Sequence, residues 1–328
     1  MSFFFCTFAA AKVLEMRIAF TTELPAEGFK RLEGHNLYAP MEEAEVLVST
    51  FDYRVDKAMI EAMPHLRLIA NFGAGYNNID LETCKARGIR VTNTPQPVIE
   101  PTAELAFALM MAVARRIVEF DGRVRELGIR ELETPLFGVM KNLSHSLYGK
   151  TLGILGMGRI GQALARRAVA SGMRIIYHNR HELTSERIRE LENEGIKATY
   201  VDFQTLLQDS DFLSLNLPYT PEVHHIIGKP ELGMMKRSAY LINTARGAHV
   251  DEAALVEALK SGIIAGAAMD VYEHEPAVST ELLGLPNVVL SPHTGTGTWE
   301  GRIAMCENVT DNILAFAEKD FAKMDIVI

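Results

Sequence analysis

Three polar residues stand just after short apolar runs in the second half of the chain. They are Arg246 in Asn243-Thr244-Ala245-Arg246-Gly247, Glu275 in Asp270-Val271-Tyr272-Glu273-His274-Glu275-Pro276, and His293 in Ser291-Pro292-His293-Thr294-Gly295. A guanidinium is planar and always charged, so it can hold a carboxylate together with a neighbouring carbonyl oxygen. An imidazole titrates near neutrality and can give that oxygen a proton and take it back. A carboxylate bonded to the imidazole orients it and favours its protonated form. The trio suits reversible reduction of a 2-oxo acid, provided that something nearby delivers a hydride. Taken singly, each has a plainer reading: His293 as a loop histidine after proline, and Glu275 as a solvated turn residue.

The source of that hydride is indicated by Gly156-Met157-Gly158-Arg159-Ile160-Gly161, which follows the apolar run 151–155 and precedes a helical stretch over 162–171. A strand before and a helix after turn a weak G-x-G-x-x-G into a specific dinucleotide signal. The first glycine permits the tight turn, the second lets a pyrophosphate approach the backbone, and the third lets helix pack on strand. Amides at the helix start then face the phosphates. About 20 residues on, an acidic residue would hold a ribose 2′-hydroxyl. The chain instead has Tyr177-His178-Asn179-Arg180, and Glu182 lies past the strand end. An arginine there can pair with a 2′-phosphate, with His178 and Asn179 as neutral neighbours, which favours NADP over NAD. The alternative is that Arg180 points to solvent and both dinucleotides bind.

These residues need elements to carry them. β-Branched runs alternate with helical stretches twice along the chain, the pattern of parallel sheets with helices on both faces. In the first third, strands are expected at 16–20, 45–49, 67–70 and 89–92, with helices over 55–62 and 81–87. A long amphipathic helix is expected over 101–120, then a less regular stretch over 122–149. The second alternation places strands at 151–155, 174–177, 212–215, 239–242, 264–268 and 288–290. A last helix, 299–318, should return to the first domain. The expectation is an α/β chain of two Rossmann-like doubly wound domains, with the nucleotide-binding domain inserted into the substrate-binding one and a cleft between them. The boundaries read as 1–114 and 298–328 for the substrate-binding domain and 115–297 for the dinucleotide-binding domain. In such sheets ligands sit outside the carboxyl ends of the strands, where Arg246, Glu275 and His293 all fall.

Composition narrows the partners. The chain has 328 residues, 48% of them hydrophobic, which is ample for two cores. With 33 Lys and Arg against 42 Asp and Glu, the net charge of −9 gives no basis for holding a nucleic acid. Cys6, Cys84 and Cys306 are an odd count without metal-ligand spacing, as expected for the reducing cytoplasm. The opening MSFFFCTFAAAK is too short to span a bilayer and lacks the basic residues of a secretory signal, so no membrane is expected as a partner. Met16 opens a strand-like MRIAF, so residues 1–15 read as an extension ahead of the fold. No metal is expected: His224-His225 and His274 lack the helical pairing with glutamate that marks a zinc site, and read as surface residues.

Taken together, these motifs resemble the D-isomer-specific 2-hydroxyacid dehydrogenases from about Met16 onward. The resemblance rests on GMGRIG at 156–161, Asn216-Leu217-Pro218 with Thr220-Pro221, NTARG at 243–247, AAMDV at 267–271 leading to Glu275-Pro276, and PHTG at 292–295. It implies catalytic roles for Arg246, Glu275 and His293. Thr102, Asn216, Pro218, Thr244, Ala245, Asp270 and Gly295 would lie near the cofactor, and Asn71-Phe72-Gly73-Ala74-Gly75-Tyr76 would offer the amides of Ala74 and Gly75 to a substrate carboxylate. The YHNR stretch is most similar to the family's NADPH-preferring glyoxylate and hydroxypyruvate reductases, so a small 2-oxo or 2-hydroxy acid is the expected substrate. A homodimer is expected too, with the apolar residues Leu136, Phe137, Val139 and Met140 partly at its interface. Asn77 departs from the family's aspartate. The rival readings are a dinucleotide-sensing protein resembling transcriptional co-repressors, which need not keep the acid–base pair, and dehydrogenases of formate or phosphite, of which formate oxidation does not need a His–Glu proton donor.

Overall fold

Apolar runs bounded by turn residues form twelve strands, all parallel, among the residues described by the computed structural model, 15–131 and 142–328. The chain divides into two compact units, Met1–Val98 with Trp299–Ile328, and Ile99–Thr298. The first unit holds β1 (Arg17–Phe20), β2 (Asn36–Leu37), β3 (Val46–Thr50), β4 (Leu68–Phe72) and β5 (Arg90–Thr92), in the order β2-β1-β3-β4-β5. β3 and β4 are buried at every position, as strands covered on both faces must be. The helix Leu81–Arg87 starts where the Asp80 carboxylate accepts from the Thr83 amide at 3.0 Å, and stops at Gly88. The helix Trp299–Ala317 belongs to this unit and packs on Ala26–Leu32 and on β4.

The second unit holds β6 (Thr151–Leu155), β7 (Arg174–His178), β8 (Ala198–Tyr200), β9 (Phe212–Leu215), β10 (Tyr240–Asn243), β11 (Gly266–Met269) and β12 (Val288–Leu290). Their order, β12-β11-β10-β9-β6-β7-β8, runs outward in both directions from β6, so the strand order reverses between β6 and β9. Ligands of such sheets bind at that reversal. Successive residues go to opposite faces: Leu241 and Ala267 join one core, and Ile242 and Ala268 the other. The short β2 and β8 were not anticipated, because two- and three-residue strands carry too few alternations to show a period.

The long helix expected over 101–120 is instead two helices, Ile99–Ala114 and Ile117–Glu131. The break is at Arg116, which takes a left-handed conformation (φ 52°) and turns its guanidinium onto Glu119 and the Leu143 carbonyl. The second helix therefore runs through part of the stretch expected to be irregular. The helix Ile99–Ala114 packs on the helix Arg159–Ala170 and on β10 and β11. That packing puts it in the second unit, so the first division falls at 98/99, earlier than the expected 114/115, and the second at 298/299. Residues 136, 137, 139 and 140, and the opening segment with Cys6, lie outside the described residues. Among the described residues no helix is long and apolar enough to cross a membrane.

Candidate active site

The glycine loop occupies the reversal point between β6 and β9. Gly156 has φ 99°, and a Cβ there would come within 2.8 Å of the Asn216 and Leu217 backbone that follows β9. A Cβ on Gly161 would lie 2.5 Å from the Gly156 carbonyl, whereas one on Gly158 would meet nothing within 4 Å. The turn and the close helix contact are thus fixed by the protein itself, and the open space falls at the middle glycine, where a pyrophosphate needs it. Gly158 caps the helix Arg159–Ala170, so Arg159, Ile160 and Gly161 form its first turn and their amides are available to an anion. Two buried polar atoms after the neighbouring strands, Asn216 Oδ1 after β9 and Thr244 Oγ1 after β10, have no hydrogen-bond partner among the described residues. An open cradle and orphaned polar atoms at the carboxyl ends of the strands fit a bound dinucleotide.

The residues at the end of β7 divide their tasks. Asn179 Oδ1 accepts from the Met157 amide at 2.6 Å and so braces the glycine loop. The His178 ring bonds the Val201 carbonyl at 2.8 Å and stacks on Tyr200. Arg180 is exposed.

Arg246, Glu275 and His293 follow β10, β11 and β12, three neighbouring parallel strands, and so share one edge of the sheet. His293 Nδ1 lies 2.7 Å from Glu275 Oε2, and Glu275 Oε1 accepts the Tyr272 amide at 2.9 Å. Burial works to raise the Glu275 carboxyl, but the bonds from His293 and Tyr272, with the charge of Arg246, hold it below its ordinary range. Burial lowers the Arg246 guanidinium, with Glu275 acting against that. Asn243 closes the turn that presents Arg246: its side chain donates to the Arg246 carbonyl at 2.9 Å and accepts the Ala245 amide at 3.0 Å. Gly247 comes next because a Cβ there would sit 1.9 Å from the Tyr272 backbone.

The His293 loop has a support that its sequence alone does not reveal. The buried Asp270 carboxylate accepts from Ser291 Oγ (2.6 Å), the Thr294 amide (2.8 Å) and the Gly295 amide (2.8 Å), while the His293 amide bonds the Asp270 carbonyl at 2.8 Å. His293 is held at φ 53° by this clamp. Thr102 lies beside Gly295, within 3.5 Å of where its Cβ would stand. Asp270 was expected as a cofactor contact, and its hold on three loop groups is the addition. Pro218 is exposed after β9, and Ala245 is partly buried before Arg246.

In the first unit, all three carbonyls of the loop after β4 are engaged. Asn71 Nδ2 donates to those of Gly73 (3.1 Å) and Gly75 (2.9 Å), and Asn93 Nδ2 to that of Ala74 (2.8 Å). The amides of Ala74 and Gly75 have no acceptor among the described residues.

Residues 107–295 match the family described as D-isomer specific 2-hydroxyacid dehydrogenase, NAD binding domain. The chain belongs to that family. It is 47% identical to a glyoxylate reductase of Thermococcus litoralis over 320 residues, covering 93% of this chain and 95% of that one. Among solved structures, a glyoxylate reductase from Paecilomyes thermophila superposes with a TM-score of 0.81 at 35% identity, covering 94% of this chain and 97% of that one. The NADPH-dependent glyoxylate/hydroxypyruvate reductase of Sinorhizobium meliloti, in complex with NADP and malonate, gives 0.80 at 33% identity, with 92% and 93% covered. This 2-hydroxyacid dehydrogenase is therefore an oxidoreductase that uses a nicotinamide dinucleotide, and nothing in these likenesses supports a sensing protein without turnover.

Three further histidines are not part of this set of residues. His224 and His225, read as surface histidines, lie with Glu273, and His225 Nε2 is 2.7 Å from Glu273 Oε1. His249, not singled out by its sequence, is fully buried three residues after Arg246.

Proposed function

We propose that this dehydrogenase reduces glyoxylate and hydroxypyruvate to their 2-hydroxy acids, with NADPH preferred over NADH. The observation that carries the chemistry is the His293–Glu275 pair at 2.7 Å on the same sheet edge as Arg246. With Nδ1 committed to Glu275, the His293 proton that moves is the one on Nε2. It goes to the substrate carbonyl oxygen during reduction and returns to Nε2 during oxidation. Glu275 keeps the ring oriented and stabilises its positive charge. Arg246 binds the carboxylate and polarises the carbonyl, and burial strengthens both effects by keeping water away. The nicotinamide supplies or accepts the hydride when bound.

The amides of Ala74 and Gly75 are assigned to a carboxylate ligand, since the loop's own carbonyls are already engaged. Among cofactor residues, Gly158, Arg159, Ile160 and Gly161 hold the pyrophosphate, Asn216, Pro218, Thr244, Ala245 and Asp270 line the nicotinamide side, and Thr102 and Gly295 support it. The dinucleotide preference rests on Arg180, exposed just after β7, whose charge also acts on Glu222; His178 and Asn179 shape that end. The Sinorhizobium meliloti relative, named as NADPH-dependent, supports the same reading.

A homodimer is supported by Ile117, Val118, Val124, Leu143 and Tyr148, large apolar residues exposed along and beyond the helix Ile117–Glu131. Cytoplasmic residence is supported by the free thiols of Cys84 and Cys306.

The test is loss of dinucleotide absorbance with NADPH and with NADH against glyoxylate, hydroxypyruvate, pyruvate and phosphohydroxypyruvate. Glyoxylate and hydroxypyruvate with NADPH should turn over fastest, and His293→Ala should lower kcat about 100-fold or more while leaving dinucleotide affinity unchanged. Equal rates for all four acids would sink the substrate assignment, and a His293→Ala variant of undiminished rate would sink the mechanism.

A further inference from the structure

A second group of side chains outside the site just described has the makings of a metal centre. His224, His225 and Glu273 each place one ligand atom within 4.8 Å of the others. The two histidines are consecutive, and their rings lie face to face with centroids 3.9 Å apart at 20°. Consecutive side chains rarely share a direction. Here they do because His225 takes a left-handed backbone conformation (φ 50°), held by its amide bond to the Ala248 carbonyl at 2.9 Å.

Glu273 is the least exposed of the three and is already oriented. Its Oε2 accepts the Glu252 amide at 3.2 Å, and its own amide donates to the Glu252 carboxylate at 3.1 Å. Oε1 is thereby turned toward His225 Nε2, 2.7 Å away. Tyr219 Oη lies 3.4 Å from His224 Nδ1, which leaves the Nε2 of His224 as its outward donor. His274 Nε2, 4.0 Å from the same Glu273 oxygen, is within reach of a fourth position.

We propose that His224, His225 and Glu273 form a binding site for a divalent transition-metal ion of the Zn²⁺ type. Two imidazoles and a carboxylate are a recurrent three-residue zinc set that leaves one position for water. With metal–ligand distances of about 2.1 Å, tetrahedral ligand atoms stand roughly 3.4 Å apart. Closing the present spread of up to 4.8 Å takes a shift of about 1.4 Å and a rotation of the stacked rings so that their nitrogens converge, with exposed His224 the freest of the three to move. The ion replaces the His225–Glu273 hydrogen bond and ties the segment ending at His225 to the loop before Glu275, across the backbone of Gly247. The Glu252 amide acts as the carboxylate's outer partner, as metal-ligating carboxylates usually have. This site is independent of the hydride-transfer chemistry and differs from the sequence expectation of no metal.

The test is titration of the full chain, carrying no added histidines, with Zn²⁺ by calorimetry and with Co²⁺ by visible absorption. The expected result is one ion per chain, with Co²⁺ bands of a four-coordinate site. His225→Ala and Glu273→Gln should each weaken Zn²⁺ binding at least about tenfold, and His293→Ala should leave it unchanged. Circular dichroism of each variant checks that the fold is kept, and Glu273→Gln preserves side-chain shape if His225→Ala does not fold. Absence of binding, binding indifferent to Glu273→Gln, or binding lost with His293→Ala would each overturn the proposal, the last by moving the ion to the catalytic pair.

Discussion

Replacing His249 with leucine should flatten part of the protein's loss of stability in acid. His249 is fully buried in the second unit, and neither ring nitrogen makes a well-formed hydrogen bond among the described residues. Burial pushes the imidazole pKa down from 6.5 to about 4; backbone contacts with Pro218 and Arg246, too poorly aligned to count as hydrogen bonds, act against it, and the charge of Arg246 acts with it. The sign follows from proton counts: between those two values the unfolded chain holds a proton on His249 and the folded protein does not. Stability from this residue is therefore complete above about pH 6.5, declines as pH falls, and has gone by about pH 4. A difference of about 2.5 in pKa at about 1.4 kcal/mol per unit amounts to about 3 kcal/mol over the whole window. Between about pH 7.5 and pH 5 the share lost is roughly 2 kcal/mol. For a unit of some 200 residues that corresponds to about 4–8 °C in Tm. Leucine has nearly the same volume and no polar atom, so His249→Leu should cost little at neutral pH. The assay is scanning calorimetry of both proteins across that range. The wild type should lose about 4–8 °C more than His249→Leu. Parallel profiles for the two proteins would refute the argument, since they would show that His249 titrates alike in the folded and unfolded states.

Two further substitutions probe the site. Arg180→Ala should raise the KM for NADPH about 10- to 100-fold and leave that for NADH nearly unchanged, the loss of one charge-assisted bond; steady-state kinetics with both dinucleotides checks it, and an unchanged ratio would remove Arg180 from phosphate binding. Asp270→Asn offers one acceptor oxygen where the carboxylate serves three donors, so the His293 loop should loosen and kcat fall about 100-fold. Substrate KM should change less than kcat, a split that simple loss of folded protein would not produce.

Much of this site was legible in the sequence because its chemistry depends on local order. Gly156, Gly158 and Gly161 stand in a fixed spacing between a strand and a helix, and in the structure they form a turn, an open space and a close contact. Arg246, Glu275 and His293 could be assigned to one sheet edge because each follows an apolar run, and parallel strands send all such residues to the same side. What the sequence could not reach depends on residues far apart in the chain. Asp270 clamps a loop more than twenty residues away, and only the pairing of β11 with β12 brings the two together. The break at Arg116 was hidden because apolar spacing continues through it, and a change of one φ angle leaves no mark on periodicity. His224 and Glu273 are brought close by the ends of strands distant in sequence, so their spacing carries no metal signature. Local motifs fix which groups are present and which strand end each occupies. Distances between strand ends, the burial of His249 and the company each side chain keeps follow from packing, which depends on the whole chain at once.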